Sequence, residues 1–137
     1  MKRIVILSLF ISLMNVAYAK NNFYSQISPI PSDIQKLMTG KSWHKGCPIG
    51  FDRLVYLKLS YWGFDDKPHV GELIVYKDIA TDTVATFKEL YEIKFPIESM
   101  QLPERFSGTS YASDNNTSAF YCRSDDQSPN FLIIAMA

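Results

Sequence analysis

Two histidines and two cysteines are the residues of this chain best suited to hold a metal ion. His44 precedes Cys47 by three positions in "HKGC", so an imidazole and a thiolate could share a cation. A zinc centre takes three or four protein ligands, and two are too few to define one. The plainer reading is a loop histidine beside a disulfide. His69 enters a β-like run and reads as an exposed turn histidine. Asp65 and Asp66 form a carboxylate pair of the kind used in acid–base chemistry. They lie in "GFDDKPH", where Gly, Asp and Pro more often make a turn. Glu72 follows Gly71 and reads as a structural acid able to pair with a base. "NNTS" holds overlapping glycosylation sequons, which mark an acceptor only where the export machinery glycosylates.

The chain that must position these groups has 137 residues, enough for one domain. Fourteen Lys and Arg balance fourteen Asp and Glu. That balance leaves no basic face for nucleic acid or for an anionic membrane surface. Lys2 and Arg3 precede a mostly apolar run, Ile4 to Val16, that is short for a bilayer span. Ala17-Tyr18-Ala19 then supplies a small-x-small cleavage pattern. Residues 1–19 are therefore expected to be a secretory signal peptide, and no later apolar run is long enough to cross a membrane. Removing them leaves twelve bases against fourteen acids, a formal charge of −2. In an exported chain, Cys47 and Cys122 are expected to form a disulfide closing a loop of about 76 residues. Two free buried thiols are the alternative.

Residues 20–31 read as a polar lead-in with two prolines. Ser32-Asp33 can cap a short helix through Leu37, which Gly40 can end. From Leu54 to Trp62, Val55, Leu57, Leu59 and Tyr61 alternate with Tyr56, Lys58 and Ser60, which is strand periodicity. "VGELIVY" is a second strand, so the two make an antiparallel hairpin across "GFDDKPH". Asp78 to Lys94 is the strongest helix, with Val84, Phe87, Leu90 and Tyr91 on one stripe. Pro96 stops it and drives Phe95 out of the α region. "PIESMQL" reads as a short strand or extended link, residues 103–116 as a polar loop, and "NTSAFYCR" as a further strand. The expected class is α+β, a small antiparallel sheet with packed helices.

Three segments carry a resemblance. "KSWHKGCP", then "LSYWGFDDKPHVGELIVYKDIA" with "LYEIKFPIESM", then "NNTSAFYCR" resemble the exported bacterial branch of the zinc D-alanyl-D-alanine carboxypeptidase family. That family includes VanX- and VanY-type dipeptidases and phage L-alanyl-D-glutamate endopeptidases. The resemblance spans roughly residues 38 to 124. It implies an antiparallel sheet with packed helices, and zinc-dependent hydrolysis of peptidoglycan stem peptides. In the family, a Ser-x-His-x-x-Gly-x-Ala-x-Asp segment and a later His hold the metal, which polarises the carbonyl and activates water. A Glu near the last His is the general base. The resemblance also places Arg123 where the family presents a guanidinium to the substrate carboxylate, a match for two parallel charge-assisted hydrogen bonds. Asn116 and Ser118, with Thr117, would line the same cleft.

The sequence departs from the family after "CR". "SDDQSPNFLIIAMA" stands where the Ser-x-His-x-x-Gly segment is expected, so the metal ligands and the general base are missing. No catalytic residue and no metal ligand are assigned. Zinc is the family's cofactor, and none is expected to be held by this chain. The apolar run Phe131–Ala137 is unusual for a terminus. Read two bases later, the codons allowed by "PNFLIIAMA" permit Lys-Phe-Ser-Asn-His-Ser-Tyr-Gly, which contains Ser-x-His-x-x-Gly. The expectation is a frameshift near Pro129 that leaves residues 32–137 as a partial peptidase-like domain, incomplete at the C-terminus. A short C-terminal strand is the competing account. The tail is also an aggregation-prone window, which predicts low solubility. The functional expectation is an inactive member of a stem-peptide metallopeptidase family, or an exported module that binds cell-wall peptides without cutting them, periplasmic or secreted.

Overall fold

A computed structural model describes residues 22–106 and 115–122. The strands are β1 (Ser25–Ser28), β2 (Leu54–Trp62) and β3 (Pro68–Tyr76), and the helices are α1 (Ser32–Met38) and α2 (Ala80–Glu92). Among the described residues they form one three-stranded antiparallel sheet in the order β1-β2-β3. The protein is α+β with a small antiparallel sheet and two helices. Residues 1–19, read as a signal peptide from the sequence, lie outside the described residues, as do Arg123 and the apolar tail.

The hairpin is the frame. Leu54 pairs with Tyr76 and Trp62 with Pro68, a register that keeps alternate side chains of both strands on common faces. Val55, Leu57, Leu59, Leu73 and Val75 meet Ala80, Val84 and Phe87 of α2, together with Ile97 and Met100. Leu54, Tyr56 and Ile74 pack with Ile30, Ile34 and Met38 from α1 and its approach, and with Leu102, Phe120 and Cys122. Both faces are thus covered, and Leu57 and Leu59 are wholly buried. Each buried leucine of this kind stabilises the fold by roughly 1.5–3 kcal/mol. At the hairpin tip the Gly63 N–H donates to Lys67 O at 2.8 Å, and Asp66 takes the left-handed region at φ +56°. Asp65 and Asp66 are turn residues, as their setting implies. The Asp66 carboxylate accepts the Trp62 indole N–H at 2.8 Å.

Three local expectations are corrected. Residues 25–28, read as part of a loose lead-in, form β1, with Ser25 opposite Leu59 and Ser28 opposite Tyr56. Four residues with one apolar side chain are too short to announce a strand; β2 supplies the template. Ser32 does not cap α1, since Pro31 holds that position and makes no side-chain cap. Asn116–Cys122, read as a strand, makes one bridge, Ser99 to Asn116, and is otherwise irregular. α2 begins at Ala80, after a 3-10 turn at Lys77–Ile79, and ends at Glu92. The Phe95 N–H returns to Leu90 O at 2.8 Å just before Pro96.

The anchor of the irregular half is the disulfide between Cys47 and Cys122, whose Cα atoms stand 6.2 Å apart. It ties the loop after α1 to the end of the 115–122 segment. Among the described residues no helix is long and apolar enough to cross a membrane.

Candidate functional site

The edge of β3 is where the irregular segments gather. The Glu72 N–H donates to Met100 O at 2.9 Å, so the irregular segment around Met100 is tied to that edge by a backbone hydrogen bond. The 115–122 segment is laid on next. The Thr117 N–H donates to Ser99 O at 2.8 Å. The Asn116 side chain clamps Gln101, its Oδ1 accepting the Gln101 N–H and its Nδ2 donating to Gln101 O, both at 2.9 Å. The far end is fixed by the Cys122 N–H, which donates to Ser42 O at 2.8 Å, and by the disulfide.

A narrow depression lies at this junction, lined by Glu72, Ile74, Gln101, Glu104, Ser118 and Phe120, among others. Two carboxyls border it and differ in kind. Glu72 is held by charge: Arg105 Nε and Nη2 donate to its two oxygens at 2.5 and 2.7 Å, and the Tyr56 hydroxyl donates to Oε1. Burial pushes the Glu72 carboxyl up, but hydrogen bonds from Arg105 and Tyr56, with Lys58 nearby, outweigh it and hold the group below the ordinary range. The same contacts raise the Arg105 guanidinium, chiefly through the Glu72 hydrogen bond. Burial, then the Glu72 carboxylate, push the Tyr56 hydroxyl up. This group stays ionised at Glu72 and protonated at Tyr56 across neutral pH.

Glu104 is governed by desolvation. It sits in the 3-10 turn Pro103–Arg105 and is 6% exposed. Its Oε1 accepts the Ser42 hydroxyl, while Oε2 is buried with no hydrogen-bond partner among the described residues. The Lys41 ammonium reaches the Glu104 backbone carbonyl at 3.2 Å. Burial pushes this carboxyl up, against the opposing charges of Lys41 and Arg105.

The expected binding residues distribute unevenly. Ser118 borders the depression. The carboxamide of Asn116 is engaged with the Gln101 backbone. Arg123 directly follows Cys122 in sequence and lies outside the described residues. Tyr56, Ser42, Glu104 and Arg105 were not singled out by sequence. Arg105 is 33 residues from Glu72 and Glu104 is 62 from Ser42, distances at which no periodicity speaks.

The described residues do not fit a zinc centre. Cys47 has its sulfur in the disulfide, so the "HKGC" pairing is lost. His69 Nε2 lies 2.8 Å from Asp65, and its ring stacks on Tyr61 at 5.4 Å between centroids. His44 Nδ1 lies 3.3 Å from Lys45 O, and its Nε2 is buried without a partner among the described residues. No three His, Cys, Asp or Glu side chains among the described residues are grouped to hold a metal ion. No family model, curated protein or solved structure matches the chain.

Proposed function

We propose that this chain is an exported cell-wall domain of the zinc D-alanyl-D-alanine carboxypeptidase kind, which binds peptidoglycan stem peptides by a carboxylate and, over these 137 residues, does not hydrolyse them. The observation that carries the reading is the Cys47–Cys122 disulfide with the Cys122–Ser42 backbone bond. Together they anchor Cys122, the residue before Arg123 in sequence, at the end of a segment whose Ser118 borders the depression. The Arg123 guanidinium, next in sequence, is the planar group that would pair with a carboxylate through two parallel hydrogen bonds. A disulfide also fits an oxidising compartment, hence periplasm or medium. The lack of hydrolysis rests on the missing Ser-x-His-x-x-Gly-x-Ala-x-Asp segment, since neither His44 nor His69 lies in such a motif. Among the described residues neither belongs to a group of three or more side chains able to hold a metal ion.

The test is retention of the mature protein on purified sacculi, with Arg123→Ala beside it. Loss of retention in the variant supports the reading, and equal retention rejects a specific carboxylate cleft. Zinc titration checks the metal side: a stoichiometric, high-affinity site would overturn the non-hydrolytic assignment.

A further inference from the structure

Glu104 is an acid placed where an anion is poorly served. An ionised carboxylate needs donors on both oxygens. Here Ser42 serves Oε1, Oε2 is buried without a partner among the described residues, and the nearest ammonium, Lys41, is bonded to the backbone carbonyl instead. The charged groups near it are Lys41 on the loop after α1, Arg105 beside it in its own turn, and Glu72 across the depression on β3. Arg105 is already committed to Glu72 through two hydrogen bonds, and its charge, with that of Lys41, opposes the burial of Glu104 without overcoming it. Tyr56 is bonded to Glu72 and stays neutral.

The bond to Ser42 joins separate parts. Ser42 O accepts the Cys122 N–H, so the loop after α1 holds the 103–105 turn by its side chain and the 115–122 segment by its backbone. We propose that Glu104 is a proton-operated latch: its neutral carboxyl closes the 103–105 turn onto Ser42, and loss of the proton to solvent releases the turn and opens the depression bordered by Ser118 and Glu72. The raised proton affinity that burial confers on this carboxyl agrees with that assignment. Opening would also strain the Glu72–Arg105 pair, because Arg105 is the next residue in the turn. The inference concerns the site read above as a peptide cleft, yet it does not require that a peptide bind there.

The experiment is limited trypsin digestion of the folded protein between pH 5 and 9, following cleavage after Arg105. The rate is divided at each pH by the rate in Glu104→Gln, which keeps an acceptor for Ser42 and cannot ionise; the division removes trypsin's own pH dependence. The expected ratio is lowest at the acid end of the range and rises severalfold toward pH 9. A flat ratio overturns the latch. Should Glu104→Gln fail to fold, the Glu104 Cδ chemical shift of the unaltered protein decides. A midpoint above that of an exposed glutamate supports the latch, and one at or below it overturns the latch. Neither readout involves peptidoglycan, so failure of stem-peptide binding and failure of the latch are separable.

Discussion

Gly71 and Met100 are packed so closely that a side chain at Gly71 has no place. A Cβ there would stand 2.5 Å from Met100 Cβ and 2.7 Å from Met100 O. This contact lets residues 99–102 lie along the β3 edge, where Met100 O takes the Glu72 N–H. Gly71→Ala must displace backbone and not merely a flexible tip. It is expected to cost about 1–3 kcal/mol, read as a lower urea midpoint with unchanged slope. Stability within a few tenths of a kcal/mol of the unaltered protein would show that the edge segment shifts freely.

The Cys47–Cys122 bond closes most of the domain into one loop, with 75 residues of sequence separation. Replacing both cysteines by serine should lower stability by about 2–4 kcal/mol. Because the bond anchors the irregular segment and not the hairpin, hydrogen exchange should accelerate first in residues 115–122, while β2 and β3 amides stay slowest. Uniform acceleration would mean that the domain opens only as a whole.

Glu72 gives acid sensitivity with a defined sign. Its folded carboxyl sits below the ordinary range, so the pair with Arg105 contributes fully above an unfolded glutamate's pKa and is lost as pH falls through the folded value. Arg105 is partly exposed, with 40% of its side chain accessible, so solvent screens much of the attraction. Arg105→Gln is expected to cost about 1 kcal/mol at pH 7 and almost nothing at pH 3. An equal loss at both values would identify packing, not charge, as the role of Arg105. Glu104 acts in the opposite direction: its raised proton affinity adds stability below the ordinary glutamate pKa, which is lost as pH rises through the folded value. Both variants should therefore depart from the unaltered protein as pH rises, Arg105→Gln toward lower stability and Glu104→Gln toward higher.

Asn116 holds the Gln101 backbone at both its N–H and C=O. Asn116→Ala removes both contacts and leaves two backbone groups to water, at a cost of about 1–2 kcal/mol. Asn116→Asp keeps only the acceptor and should fall between. If Asn116→Ala weakened sacculus binding without changing stability, the side chain would be a direct ligand and not a clamp.

Much of the frame was legible because it is local. The alternation from Val55 to Tyr61, the Asp-rich turn and the Val84, Phe87, Leu90, Tyr91 stripe are patterns within one element, and β2, β3 and α2 lie where they predict. Two cysteines in a chain that looks exported were enough to pair Cys47 with Cys122. The site was not legible in the same way. β1 carries too little pattern to show itself, and its existence depends on the free edge of β2. The Ser42–Glu104 and Glu72–Arg105 partners are joined across 62 and 33 residues by chain geometry that no spacing encodes. A lone glutamate after a proline reads as an exposed acid; that Glu104 is buried follows from how Leu102 and Phe120 draw its turn onto the sheet.

By itself the sequence determined the class, the hairpin and the long helix, because periodicity acts without knowledge of distant neighbours. Tertiary structure alone decided which acids are charged and which are buried, because desolvation and pairing are set by what packs across the sheet edge.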